Sequence, residues 1–376
     1  MTNRLFYHRP HCVLRFCRNS FLAFLACSVC CCITATTTSC SSDDDPAAPA
    51  PKGAPLQVMV VFSPGQLGDR GYADNVMTGI YQLKKFDEVT GTDSINVDFI
   101  TCGDLGDTRD ALSDWAATPV NAFYNSSYDR RLLVLTEPYM AQWLASLNAT
   151  LRPVDEVLLL QVAEADVKRL AAQHKMEGRL HGLNIPASRS ARRFATFVRQ
   201  KVEEKKGSDR PYDLSSLPML RLFKDDIVDY RDSLSEVLAQ ELTKDTEINS
   251  IALADTLSDD VYSSSQSALR LQTAVKWGRM MQSAYETDAL AFCIVDLGAA
   301  NQGFNYFLIG APLDTFYTLM LDAEPLEALP QRLYIQRNFG NALAAWAMNW
   351  MRAPAATMPI QTDMPGLCTD NIDIDD

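Results

Sequence analysis

The stretch "VMVVFSPGQLGDRGYADNVMTGI", Val58 to Ile80, decides how this chain is read. Its unbroken apolar start, Val58 to Phe62, suits a strand buried on both faces of a sheet. A loop follows with glycines at 65, 68 and 71, and then Tyr72, Val76, Ile80 and Leu83 fall at helical spacing. Strand, glycine-rich turn and amphipathic helix make the first half of a βαβ unit. Turns at the carboxyl ends of parallel strands are where such sheets hold ligands. The glycines let the backbone approach a ligand or turn sharply. Asp69 offers acceptors for hydroxyl groups, Tyr72 offers a flat face, and the helix start adds unpaired N–H groups. The same residues also read as a plain turn, with Asp69 as a local cap and Tyr72 packed into the core, and their spacing matches no phosphate loop.

Working outward, the pattern recurs. Apolar runs near 56–62, 95–101, 132–136, 157–161 and 179–185 read as strands, each followed by helix-like sequence, and 186–202 offers a proline first turn and "SARRFATFVRQKV". After a polar, proline-marked stretch (203–230), the alternation resumes with strands near 248–256, 289–296 and 316–322 and helical patterns over 261–284 and 338–351. Strands alternating with helices predict an α/β chain with parallel sheets. About 320 residues are too many for one core, so two doubly wound lobes are expected, at 56–202 and 203–352, with a C-terminal tail at 353–376.

The first twenty residues carry Arg4, Arg9, Arg15 and Arg18 and no acid, and "FLAFLACSVCCCITATTTSC" follows. This reads as a signal peptide at 1–39, since Phe21 to Ile33 is too short to span a bilayer. Thr37-Thr38-Ser39-Cys40 resembles the lipobox of bacterial lipoproteins, which implies acylation of Cys40, although the usual leucine three places earlier is missing and Cys27 is a rival. "CSSDDD" resembles the acidic signal of Bacteroides-type lipoproteins exported to the outer face of the outer membrane. The periplasmic face and a simple solvated acidic linker are the alternatives. Residues 40–55, rich in proline, alanine and acid, read as an extended tether.

Seven of the ten cysteines lie at or before Cys40, which leaves Cys102, Cys293 and Cys368 and no disulfide framework in the body. Cys293, in "LAFCIV", reads as a small core residue. Without the four N-terminal arginines the formal charge moves from -13 to -17, which argues against nucleic acid as a partner.

Five segments in chain order resemble the basic membrane protein family of substrate-binding lipoproteins, whose characterised members bind purine nucleosides on the type I periplasmic-binding fold. "GQLGDRGYADNVMTGI" is similar to the family's Asp-Asp-Lys-Ser-Phe-Asn loop, with Asp69 on an aspartate, Tyr72 on the phenylalanine and Gly79 on the helix glycine. "GLNIP", Gly182 to Pro186, resembles Gly-Met-Asp-Ile-Pro. "DLGAANQGFNYF" is similar to a glycine-rich turn through Gly298, Asn301 and Gly303. "FYTLMLDAE" places Asp322 on the family's sugar-binding aspartate, and "YIQRNFGNALAAW" places Arg337 on a lysine near the ligand. Ala73, Gly71, Glu324 and Arg337 depart from the family's asparagine, serine, second aspartate and lysine.

The resemblance implies a cleft between two lobes, with Asp69 and Asp322 accepting from vicinal hydroxyls, Tyr72 stacking on the ligand and Arg337 holding Asp322. Asp322 and Arg337 also read as a structural ion pair, and Asn301 as a turn residue. Tyr139 in "TEPYM" follows a strand end and either faces the cleft or packs into the core. The function expected is capture of a small polar metabolite, most of all a nucleoside, by a lipid-anchored protein that needs no cofactor or metal, with a transporter as a possible recipient. The alternatives are a surface interaction protein on the same fold and a carboxylate-dependent sugar enzyme using a pair among Asp69, Glu137, Asp296 and Asp322. An enzyme is disfavoured, because only His174 and His181 remain after processing and no serine elbow or HExxH occurs.

Overall fold

The computed structural model describes residues 56–64, 67–68, 70–90, 95–121, 126–204, 216–221, 238, 240–242, 247–252, 291–296, 316–323, 325, 329–354 and 357–374. In chain order these form β1 (Leu56–Val61), α1 (Tyr72–Thr90), β2 (Ile95–Ile100), α2 (Leu105–Ala117), a small ribbon of β3 (Val120–Asn121) and β4 (Ser126–Ser127), and β5 (Arg131–Leu135). A 3₁₀ turn (Pro138–Trp143) leads into α3 (Leu144–Asn148), then β6 (Glu156–Leu160), α4 (Glu164–His174), β7 (Leu180–Asn184) and α5 (Ser188–Glu204). The rest contributes β8 (Ser216–Arg221), β9 (Glu247–Ala252), β10 (Ala291–Asp296), β11 (Phe316–Leu321), β12 (Arg332–Arg337), α6 (Phe339–Arg352), β13 (Gln361–Asp363) and β14 (Cys368–Asp370).

Two six-stranded sheets result, ordered β13-β7-β6-β5-β1-β2 and β14-β12-β11-β10-β8-β9. Every described pairing in the first is parallel, and in the second only β14 on β12 is antiparallel. Setting aside the late edge strands, both sheets repeat the doubly wound order 2-1-3-4-5, whose switch point lies between the first and third strands. The expected α/β class with two parallel-sheet lobes is what the chain forms.

Period-two alternation in the first sheet explains its two layers. Val58, Val60, Leu132, Val134, Leu158 and Leu160 point to one side, where Val76, Ile80 and Leu83 of α1 and Leu343, Trp346 and Trp350 of α6 cover them. Met59, Val61, Leu133, Leu135, Val157 and Leu159 point to the other, under α2, α3 and α4. In the second lobe Phe194, Ala195 and Val198 of α5 pack on Phe292, Ile294, Leu319 and Leu321. Cys293 is fully buried there, and burial pushes its thiol up to about 12, as befits a packed core residue.

The lobe boundaries differ from the sequence expectation. Helix α6, grouped by sequence with residues 203–352, covers the first sheet. Helix α5, grouped with 56–202, packs on the second. The expected tail at 353–376 gives β13 to the first sheet and β14 to the second. Among the described residues the chain therefore crosses between lobes three times, after Asn184, after Arg337 and after Asp363. These crossings are tied together: Met364 N–H donates to the Asn184 carbonyl (3.0 Å) and Asn338 N–H to that of Leu367 (2.9 Å). The helical pattern at 261–284 lies outside the described residues.

At the amino end of β6, two buried carboxylates anchor the base of the first sheet. Asp155 accepts from Arg131 (2.7 Å) and Arg152 (2.8 Å), and Arg131 also donates to the Trp115 carbonyl. Glu156 accepts from Arg130 (2.6 Å), His181 Nε2 (2.9 Å) and Trp350 Nε1 (3.0 Å). Burial pushes both carboxyls up, but their hydrogen bonds, from Arg131 and Arg152 at Asp155 and from His181, Arg130 and Trp350 at Glu156, outweigh it and hold both below the ordinary range. Such a group adds stability that is complete above its unfolded pKa of about 4 and is lost as pH falls through the lower folded value. The contribution of these groups to the thermal midpoint is expected to be level from about pH 7 to about pH 5 and to decline below about pH 4. In calorimetry, Asp155→Asn should melt earlier at neutral pH and show a shallower acid decline. An unchanged acid slope would mean that other groups control it.

Candidate functional site

The site is built on two residues whose backbone is unusual for their type. Gln161 (φ 65°) and Asp322 (φ 53°) are both left-handed, which costs a non-glycine residue on the order of 1–3 kcal/mol. Each follows the carboxyl end of the fourth strand of its doubly wound order, β6 in one sheet and β11 in the other. Each uses its N–H in the same way: Gln161 donates to the Leu183 carbonyl on β7 (3.0 Å) and Asp322 to that of Ile335 on β12 (2.8 Å). They are equivalent positions of two similarly wound lobes.

Arg337, last residue of β12, joins them. It is 1% exposed, and its backbone N–H (3.0 Å) and Nε (3.1 Å) donate to the Asp322 carboxylate, as does Nη2. Nη2 also donates to Gln161 Oε1 (2.7 Å), so one guanidinium is held from both sheets. The Phe339 ring lies beside it, 5.2 Å from guanidinium carbon to centroid.

Tyr72, the first residue of α1, stands on the first-sheet side of this pair. Its hydroxyl donates to the Thr136 carbonyl (2.7 Å), which also accepts from Gln161 Nε2 (3.3 Å), and its ring meets Phe339 edge to face at 5.3 Å. Burial, then the negative charge of Glu137, push the phenol well above its usual range, while Arg337 and Gln161 act in the opposite sense. Tyr72 is therefore a neutral donor at physiological pH. The glycine-rich turn in front of it is held by Asp74, which accepts from the N–H groups of Gly68 (2.8 Å) and Arg70 (2.6 Å). Gly68 (φ 97°) and Arg70 (φ 60°) take the left-handed backbone that this wrap requires.

Of the residues expected at the site, the structure brings together Tyr72, Asp322 and Arg337, with the last two as an ion pair. Tyr139 is corrected: it is 3% exposed within the first core, its hydroxyl hydrogen-bonded to Ser63 Oγ (2.5 Å) and its ring edge-on to Trp143, because the 3₁₀ turn after β5 folds it under the sheet end. Asp69, Asn301 and Cys40 lie outside the described residues. Gln161 and Asp74 were missed. Gln161 was legible as the one polar residue closing the apolar run "VLLLQV", at a strand's carboxyl end. Among the described residues no group of three or more His, Cys, Asp or Glu side chains is placed to hold a metal ion. Carboxylate, amide, phenol and guanidinium side chains at facing strand ends are suited to hydrogen-bonding a hydroxyl-rich neutral molecule.

No protein-family model and no curated sequence relative match the chain. Solved structures do. An ABC transporter solute-binding protein from Aeropyrum pernix K1 matches with a TM-score of 0.55 at 14% identity, over 84% of this chain and 76% of that one. An ABC sugar transporter subunit from Rhodobacter sphaeroides 2.4.1 matches at TM-score 0.55 and 10% identity, over 85% and 98%. A LacI transcriptional regulator from Lactobacillus brevis matches at TM-score 0.52 and 10% identity, over 85% and 100%. The chain has the periplasmic-binding-protein-like fold that these proteins share.

Proposed function

We propose that this chain is a solute-binding protein that captures a hydroxyl-bearing small molecule, a nucleoside first among candidates, between its two lobes. The observation that carries the reading is the Asp322–Arg337 pair at the carboxyl end of one sheet, facing Gln161 and Tyr72 of the other. Acceptors from one lobe and donors from the other would share the hydroxyls of one ligand, so binding would favour closure about the three crossings. Solute-binding structures among the fold's matches support the reading, and the likeness to the nucleoside-binding lipoprotein family selects the ligand to try first. Nothing in this reading asks for catalysis. It carries the anchor with it: acylation at Cys40 would tether the body to the outer membrane, its surface face included, through the 40–55 segment.

Native mass spectrometry of the full chain taken from membranes tests both parts, through acyl mass on Cys40 and through a small molecule lost on unfolding. Isothermal titration against nucleosides and, separately, monosaccharides then ranks the ligand classes. Micromolar heats with nucleosides are expected; heats with monosaccharides alone would move the ligand to sugars. One guanidinium tied to both lobes also fits a cleft retained only as a scaffold. Silence in both panels from a protein that carries no small molecule would decide for that surface-interaction reading.

A further inference from the structure

We infer that Gln161 is a hinge pin, whose amide oxygen limits how far the two lobes separate by holding Arg337 across the crossings. Arg337 is the last residue before the second crossing, and Asp322 fixes its guanidinium within its own lobe. Its further bond, to Gln161 Oε1 at 2.7 Å, reaches the other lobe at the end of β6. Strand β6 neighbours β7, whose end is the first crossing, and the third crossing is bonded to both of the others through Met364–Asn184 and Asn338–Leu367. A rotation of the lobes must turn about these three segments. It moves the end of β6 relative to the end of β12 and so strains the Gln161–Arg337 bond directly.

Gln161 is also poorly free to follow such a motion. Its backbone is in the left-handed region, its N–H is bonded to Leu183 on β7, and its Nε2 reaches the Thr136 carbonyl just past the end of the neighbouring β5. A side chain fixed at both backbone and amide cannot swing after a departing guanidinium. The bond is thus placed to set the opening angle whether or not the cleft is filled.

The test needs no ligand, so its outcome and that of the binding proposal are separable. In Gln161→Met, which keeps size but removes the acceptor, the hinge amides of Asn338 and Met364 should exchange with deuterium about tenfold faster, as loss of one charge-assisted bond allows. Small-angle scattering should show a larger radius of gyration. Amides of β1 and β5 should exchange as before. Gln161→Glu, which keeps an acceptor for Arg337, should retain slow hinge exchange. Unchanged hinge exchange in Gln161→Met would overturn the proposal. So would faster exchange throughout β1 and β5, which would make Gln161 a support of its own lobe only, and so would Gln161→Glu behaving like Gln161→Met.

Discussion

Gly340→Val is expected to lower stability by about 3 kcal/mol or more, beyond the usual 1–3 kcal/mol of overpacking because the obstacle is backbone. Helix α6 crosses α1 at a point where neither helix has room for a side chain. A Cβ on Gly340 would lie 2.1 Å from the Asn75 carbonyl oxygen and 2.3 Å from Thr78 Oγ1, and one on Gly79 would lie 2.5 Å from the Gly340 carbonyl oxygen. The approach is held by a bond from Gly340 N–H to Asn75 Oδ1 (2.8 Å) and by Gln82 Nε2 to Asn341 Oδ1 (2.7 Å). Valine would part the helices and open the layer that Trp346 and Trp350 fill. Denaturant unfolding would report the loss as a lower midpoint. The control is Gly366→Ala, where a Cβ meets nothing within 4 Å, and a change within about 0.5 kcal/mol is expected. If both variants unfold at the wild-type midpoint, α1 and α6 do not meet at these distances.

Asp322→Ala is expected to cost about 3–5 kcal/mol, the range for removing one partner of a buried ion pair. Arg337, itself buried, would keep the Gln161 amide as acceptor but lose the Asp322 carboxylate. Asp322→Asn separates backbone from charge. Asparagine tolerates the left-handed φ of 53° and keeps one carbonyl oxygen for Arg337, so a smaller loss, about 1–2 kcal/mol, is expected. Both variants should lose the binding heats of the wild type, since the acceptor proposed to read the ligand's hydroxyls is gone or halved. Thermal melts paired with titration check this. If Asp322→Asn bound a nucleoside as tightly as the wild type, Asp322 would be a structural partner of Arg337 and no more.

How much of this the sequence shows depends on what each residue type can reveal alone. The central strands were readable because a strand covered on both faces is an unbroken apolar run, as in "LQVMVV" and "EVLLL". Strand β12, "RLYIQR", does not read as a strand in sequence, because it begins and ends with arginine; Arg332 and Arg337 are nonetheless buried. Strand β8, "SLPMLR", was hidden by Pro218 and the polar run before it. Lobe membership was the larger gap. The pattern of α6 shows that "FGNALAAWAMNWMR" is covered, but the central strands it packs on lie far earlier in the chain, Glu156 being 194 residues before its partner Trp350. For the site, family likeness led to Asp322 and Arg337; Gln161 shows in sequence only as the polar end of an apolar run, and its backbone angle and cross-lobe bond show only in the fold.

Residues 339–370, which cover one sheet and add an edge strand to each, come late in the order of synthesis. The layer of α6 over the first sheet, the edge strand β13 and the carbonyl of Pro359 that receives His181 Nδ1 (2.9 Å) all come from residues 339–363. A ribosome delivering this protein would have exposed the apolar face of β1, β5 and β6 with only α1 to cover it long before α6 was made. Neither lobe is complete before these late strands are made, unlike an amino-terminal domain that folds as it emerges. The first lobe is completed only once residues 339–363 have been made, and the contacts that complete it are among the most distant in the sequence, a topology that folds slowly. A lobe kept open until β13 emerges is also one that can be handed over unfolded.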